Sequence, residues 1–238
     1  MPATTNKQQL LNQAFNILKK RYDVPAEIEE RPILEHLIYA VIREGSNCEA
    51  ANKVFRHLRE RFFDWNELRV SSVHEVEEAL AGLPERGDKS RRLIGILQEW
   101  FELTYSFDMQ DLAKKGLKEA AKKLWRLNEV TDYAVAWVMQ HGLGGHAIPL
   151  DRPSIIALKR LGILEGDAEG AEPLRGTVEH YVPKARGPQF VEYISFLARD
   201  LCFPDARPNC AACPLHGDCP TGIENLRNAP EPKPRKSR

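Results

Sequence analysis

Four of the chain's five cysteines, Cys202, Cys210, Cys213 and Cys219, fall within 18 residues near the C-terminus. Their spacing is C-x7-C-x2-C-x5-C, in a stretch that also holds Pro204, Pro208 and Pro214. A loop so rich in proline has no core of its own, so thiols crowded there call for a metal centre to hold them. A set of four cysteine ligands suits either zinc or an iron–sulfur cluster. A zinc ribbon usually pairs two CxxC knuckles, and only Cys210 and Cys213 form one here. The asymmetric spacing therefore leans toward a cubane cluster. Disulfide-bonded or free cysteines are the plainer alternative.

The remainder of the chain reads as helix. Leu10, Ala14, Ile17 and Leu18 place an apolar stripe on a first helix, ended by Asp23-Val24-Pro25. Pro32 opens a second helix with Leu34, Leu37, Ile38, Val41 and Ile42 on one face. Ser46 or Asn47 caps a third, and Ser72 caps a short one. After the turn at 82–88, Asp88 is expected to cap a helix from Lys89 to Leu103. An amphipathic segment from Leu117 to about Leu127 points Lys122, Lys123 and Arg126 outward, a solvated charged face. Asn128 or Thr131 caps the next helix, which starts near Tyr133; Asp151-Arg152-Pro153 reads as an N-cap followed by a first-turn proline. Residues 188–201 form the last long helix and deliver the chain to Cys202. No sustained period-2 alternation occurs, so the expected fold class is all-α.

With 238 residues, the chain can bury a substantial core in one large or two small domains. Its longest apolar run, Tyr133 to Met139, is far shorter than a membrane span. Met1 to Lys7 has no apolar core and does not read as a signal peptide. With clustered cysteine ligands, this leads us to expect a reducing, cytoplasmic setting, nucleoid-associated if the source is bacterial. The 34 basic residues balance 34 acidic ones. Bulk charge thus gives no support for nucleic-acid binding, which would have to rest on local placement. Lys89, opening a helix after a glycine turn, can meet a phosphate or simply be solvated; Arg207, inside the first cysteine gap, has the same two readings.

Taken in order, four segments resemble the helix–hairpin–helix DNA glycosylases, specifically the endonuclease III branch with a C-terminal [4Fe–4S] cluster. They are the cysteine loop, whose first gap is one residue longer than the family's, and the preceding helix Phe190 to Asp200. The others are Leu80-Ala81-Gly82-Leu83 with Lys89 to Leu93, and Ile148-Pro149-Leu150-Asp151 with Ile155 to Gly162. The resemblance spans roughly residues 30 to 220. It implies two helical lobes with a DNA cleft between them: a central barrel over 30–141 and a cluster domain over 142–222. An N-terminal helix within 1–29 would pack on the cluster domain, and 223–238 would form a disordered basic tail. It also implies a [4Fe–4S] cluster on Cys202, Cys210, Cys213 and Cys219, duplex DNA as partner, a monomeric state and no membrane association. Asp151 falls at the family's catalytic aspartate; a plain helix N-cap is its other reading, and one residue can serve both purposes.

The departures define the expected chemistry. The family's hairpin is a leucine-proline-glycine-x-glycine segment whose backbone N–H groups meet a phosphate. Here the matching positions are Leu127-Asn128-Glu129-Val130-Thr131, without glycine, and Glu129 and Asp132 add negative charge. The position of the lysine that attacks the sugar in bifunctional members falls on Tyr133, and no lysine occurs between Lys123 and Lys159; a tyrosine there is similar to the thymine-mismatch branch, with an ordinary first-turn aromatic as its plainer reading. The family's intercalating glutamine would fall on Glu44 or Gly45, neither a good wedge. The expectation is a base-excision protein that is a monofunctional N-glycosylase if active, without lyase chemistry. The alternatives are a catalytically inactive cluster-bearing DNA-binding or interaction module and, more remotely, an electron-transfer protein.

Overall fold

The computed structural model describes residues 7–24, 29–166 and 171–228, with the side chains of 171 and 172 excepted. Twelve α-helices occur among the described residues and no strand, in agreement with the all-α expectation. Helix α1 spans Lys7–Arg21, α2 Ile33–Arg43, α3 Cys48–Arg61, α4 Trp65–Val70, α5 Val73–Ala79 and α6 Arg86–Thr104. Then follow α7 Leu117–Leu124, α8 Asp132–Trp137, α9 Arg152–Arg160, α10 Ala171–Tyr181, α11 Gly187–Asp200 and α12 Pro220–Arg227.

Side-chain caps explain five of the helix starts. The side chains of Asn47, Asp64, Ser72, Thr131 and Asp151 each accept a first-turn backbone N–H, and Ser72 forms a full capping box with Glu75. Helix α2 is buried on nearly every side. A helix apolar all round belongs at a centre, and α2 packs against α3, α6, α8 and the π-helical turn Val138–Gly142 that continues α8. Helix α1 packs mainly on α10 and α11, while α9 packs on α11 and α12. One continuous apolar core runs through both groups of helices.

Several boundaries differ from expectation. Helix α6 begins at Arg86, because Glu85 turns the chain in the left-handed region (φ 53°) and leaves Asp88 in the first turn, bonded to Arg91. Helices α4 and α10 were not foreseen. Residues 223–227 belong to α12 rather than to a tail, and residues 229–238 lie outside the described residues.

Candidate functional site

Three stretches of the chain meet at one open cleft of about 410 Å³: Glu44, residues 125–133 with Trp125, Thr131 and Tyr133, and residues 150–155 with Asp151 and Arg152. Trp125 and Thr131 flank the turn between α7 and α8, Tyr133 sits in the first turn of α8, and Asp151 caps α9. The turn thus brings Tyr133 to the aspartate.

Asp151 is 4% exposed. Its Oδ1 accepts the Ser154 N–H at 3.0 Å, which closes the cap of α9. Its Oδ2 accepts the Gly45 N–H at 3.2 Å and pairs with Arg199 Nη2 from α11. Burial pushes this carboxyl up, but the Arg199 charge, the Ser154 N–H and the nearby Arg43 together hold it below the usual carboxylate range. Asp151 is therefore ionised at neutral pH. A carboxylate offers about four acceptor sites, and three are already taken.

Behind Asp151 lies a buried chain of polar contacts that sequence reasoning missed. Arg199 Nη1 donates to Ser195 Oγ at 2.8 Å, and Ser195 Oγ also accepts from Arg43 Nη2 at 2.9 Å. Arg43 Nη2 then meets Glu192 Oε2 at 2.7 Å, with the two side chains only 1% and 7% exposed. The signal was a polar stripe, Glu192-x-x-Ser195-x-x-x-Arg199, one helical face in an otherwise apolar helix.

Tyr133 is 3% exposed, and its hydroxyl has no hydrogen-bond partner. Burial, partly countered by Arg43, keeps the phenol far above its ordinary pKa, so it stays neutral. The turn before it is tied to α6. Glu99 accepts the Asn128 backbone N–H at 2.9 Å and its side-chain amide at 3.3 Å. Arg92 of α6 reaches Glu44 Oε2 at 2.8 Å, and Thr131 Oγ1 donates to the same oxygen at 3.0 Å. Glu44 is thus held at the cleft wall by Arg92 and Thr131.

The two surface cations expected at phosphates part company. Arg207 is exposed in the cysteine loop, beside an Arg152–Asp205 ion pair of 2.6 Å that ties this loop to α9. Lys89 is instead 1% exposed, and its ammonium donates to the carbonyls of Val41, Ile42 and Glu44. It caps the C-terminal end of α2, where unpaired carbonyls attract a cation, so its side chain is not available to a phosphate at the surface. Its burial lowers its pKa to about 8.

Cys202, Cys210, Cys213 and Cys219 line a second, much smaller cavity of about 20 Å³. None is in a disulfide. Among the described residues, no group of three or more His, Cys, Asp or Glu side chains is gathered as a site for a metal ion. Three donors point at the sulfurs: Asn225 Nδ2 at 3.3 Å from Cys210, the Gly222 N–H at 3.4 Å from Cys219, and Arg160 Nη1 at 3.5 Å from Cys202. His216 sits at this cavity with its Nδ1 2.7 Å from the Cys213 carbonyl oxygen.

No protein-family profile and no curated protein matches the sequence. Solved structures do. An endonuclease III trapped as a covalent DNA intermediate is 21% identical, with a TM-score of 0.70 over 94% of this chain and 100% of its own. A thermostable thymine-DNA glycosylase is 15% identical, with a TM-score of 0.64 over 92% and 97%. A 3-methyladenine DNA glycosylase of H. pylori is 16% identical, with a TM-score of 0.58 over 82% and 98%. The chain shares the all-α fold of these DNA-repair glycosylase structures.

Proposed function

We propose that this chain is a DNA base-excision protein that works as a monofunctional N-glycosylase. The observation that carries the reading is Asp151, an ionised carboxylate held at a helix N-terminus on the wall of the cleft it shares with Tyr133. In glycosidic cleavage the electron pair leaves with the base, which takes up a proton, and positive charge develops on the sugar. A fixed carboxylate stabilises that charge, and its one remaining acceptor site can orient the water whose oxygen bonds to C1′. No amine stands at the position of Tyr133, so an imine with the sugar, and the strand nicking that follows from it, is not expected. The solved structures named above support the substrate class, since their own names are those of DNA glycosylases.

The cysteine loop fits a [4Fe–4S] cluster as a structural clamp. Four thiols around a common cavity supply the ligand set, and the donors from Arg160, Gly222 and Asn225 suit sulfurs that carry negative charge. Such a cluster would fasten the loop, and with it Asp205 against Arg152 at the start of α9. Arg207 is left free on that loop to meet a phosphate.

A specific feature favours a second reading, a DNA-binding module without catalysis. Three of the acceptor sites on Asp151 are already spent, and a carboxylate covers the Asn128 amide. The two readings separate in one assay of the purified protein against duplexes carrying mismatched, oxidised, alkylated or deaminated bases, with an abasic duplex alongside. Base release without nicking of the abasic strand establishes the glycosylase. Duplex binding without release establishes the module, and neither binding nor release removes both.

A further inference from the structure

Resting on the DNA reading above, we propose that the outer face of α7, with the residues just before it and Trp125 just after, docks the DNA phosphate backbone. In this chain it takes over the task of a glycine hairpin.

The turn itself is ill suited to a phosphate. Its Asn128 N–H is occupied by the Glu99 carboxylate, and Glu129 and Asp132 add further negative charge. An anion approaching there meets acids instead of free amides.

The helix that leads into the turn has the opposite character. Residues 114–126 carry six Lys and Arg against the single acid Glu119, in a chain whose overall charge is zero. The inward positions Ala120 and Leu124 are fully buried, while Lys118, Lys122 and Arg126 recur at i, i+4 and i+8 on the exposed side. Lys114 is paired with Asp111. Lys115, Lys118, Lys122, Lys123 and Arg126 have no ion pair with a carboxylate among the described residues.

Two of these cations crowd each other. Lys115 is a close enough neighbour of Lys123 to lower the Lys123 pKa, since two ammonium groups side by side repel. Complementing the helix dipole accounts for cations in the last turn. It does not account for Lys114, Lys115 and Lys118 before and at the start of the helix. A polyanion lying along the ridge relieves all of this repulsion at once.

Trp125 fixes where such a strand leads. It closes α7, is 40% exposed, and lines the same cleft as Tyr133 and Asp151. Trp100 and Trp137, by contrast, are core residues. A strand tracking the ridge arrives at an exposed indole, a surface on which a base can stack.

Duplex binding measured across a salt series tests this with matched variants of the full chain. Lys118→Gln/Lys122→Gln removes two ridge charges, and Lys19→Gln/Lys20→Gln removes two exposed charges from α1. The expected result is a loss of about tenfold in affinity for the ridge variant, with a salt slope shallower by about two, and no change for the α1 variant. DNA is expected to quench the tryptophan fluorescence of the parent protein, and Trp125→Phe should remove that quenching. Equal losses in both lysine variants, or a ridge variant with the parental salt slope, overturn the docking surface while leaving DNA binding in place. A parent protein that binds no duplex overturns the underlying DNA reading instead.

Discussion

Arg199 of α11 and Asp151 at the head of α9 form an ion pair that joins the two helices. The same guanidinium grips Ser195 Oγ, so the aspartate is oriented by a buried relay that reaches Arg43 and Glu192. This makes Arg199 a positioning residue for Asp151 in the proposed chemistry.

Replacing Arg199 by Gln removes the charge that opposes burial, so the Asp151 pKa should rise. Asp151 has a depressed pKa in the fold, so its contribution to stability is present above the ordinary carboxylate range and is lost as pH falls through its folded value. In the variant the folded value lies closer to the unfolded one, so this group contributes less stability and less is lost on acidification. The acidic limb of any base-release profile should move up with the Asp151 pKa, and breaking the buried pair should lower stability by roughly 3–5 kcal/mol. An unmoved acidic limb would remove Arg199 from the account.

Tyr133→Phe separates structure from function at the neighbouring position. The Tyr133 hydroxyl is buried without a partner, and an unsatisfied buried group costs about 1–3 kcal/mol. Its removal should leave thermal stability unchanged or raised. If the hydroxyl meets DNA in the complex, the same substitution weakens duplex binding or base release. A destabilised Tyr133→Phe protein would show that the hydroxyl has an internal partner after all.

How much of this was legible in the sequence depends on range. Ser72, Thr131 and Asp151 announce their helices because a cap acts on amides within three residues of itself. Helix α10 was hidden because Gly176 and Thr177 interrupt it; only Leu174 and Val178, with Val182 beyond its end, mark its buried side. The Arg199–Asp151 pair spans 48 residues, and no local pattern foretells which carboxylate an arginine will meet. Lys89 was misplaced for the same reason: its partners are carbonyls of α2, more than forty residues earlier. Trp125 lies past the last turn of α7, where the helical register no longer points inward, so spacing alone does not reveal its exposure.

Two histidines give the fold a pH limit that Asp151 does not share. His36 and His141 stack at 6.3 Å, and His36 Nδ1 and His141 Nε2 are buried without partners. Burial, then Arg31, lowers His36 to about 4; burial, then His36 and Arg31, lowers His141 to about 3. Both stay neutral in the fold while the unfolded chain takes up protons below its ordinary value of 6.5. Stability is therefore full above pH 6.5 and declines as pH falls from there toward about 3, the folded value of His141. Thermal melts at pH 7 and pH 5 should show this decline, and His36→Leu/His141→Phe should flatten it.

The cysteine loop yields an all-or-none expectation. Anaerobically purified protein should carry iron and sulfide, and Ala at any one of Cys202, Cys210, Cys213 or Cys219 should remove both and lower stability. Cys48→Ala, in the same assay, should change nothing. Zinc in place of iron, or a cluster that survives at one of the four positions, would contradict the assignment.

The most direct test of the central claim compares base release by the parent protein with that of Asp151→Asn on whichever lesion duplex the parent cleaves. Asn is an N-cap as good as Asp, so α9 keeps its cap while the site loses its negative charge; circular dichroism confirms the fold. The account predicts that release disappears in the variant, duplex binding persists, and neither protein nicks an abasic strand. Release at the parental rate by Asp151→Asn would contradict it.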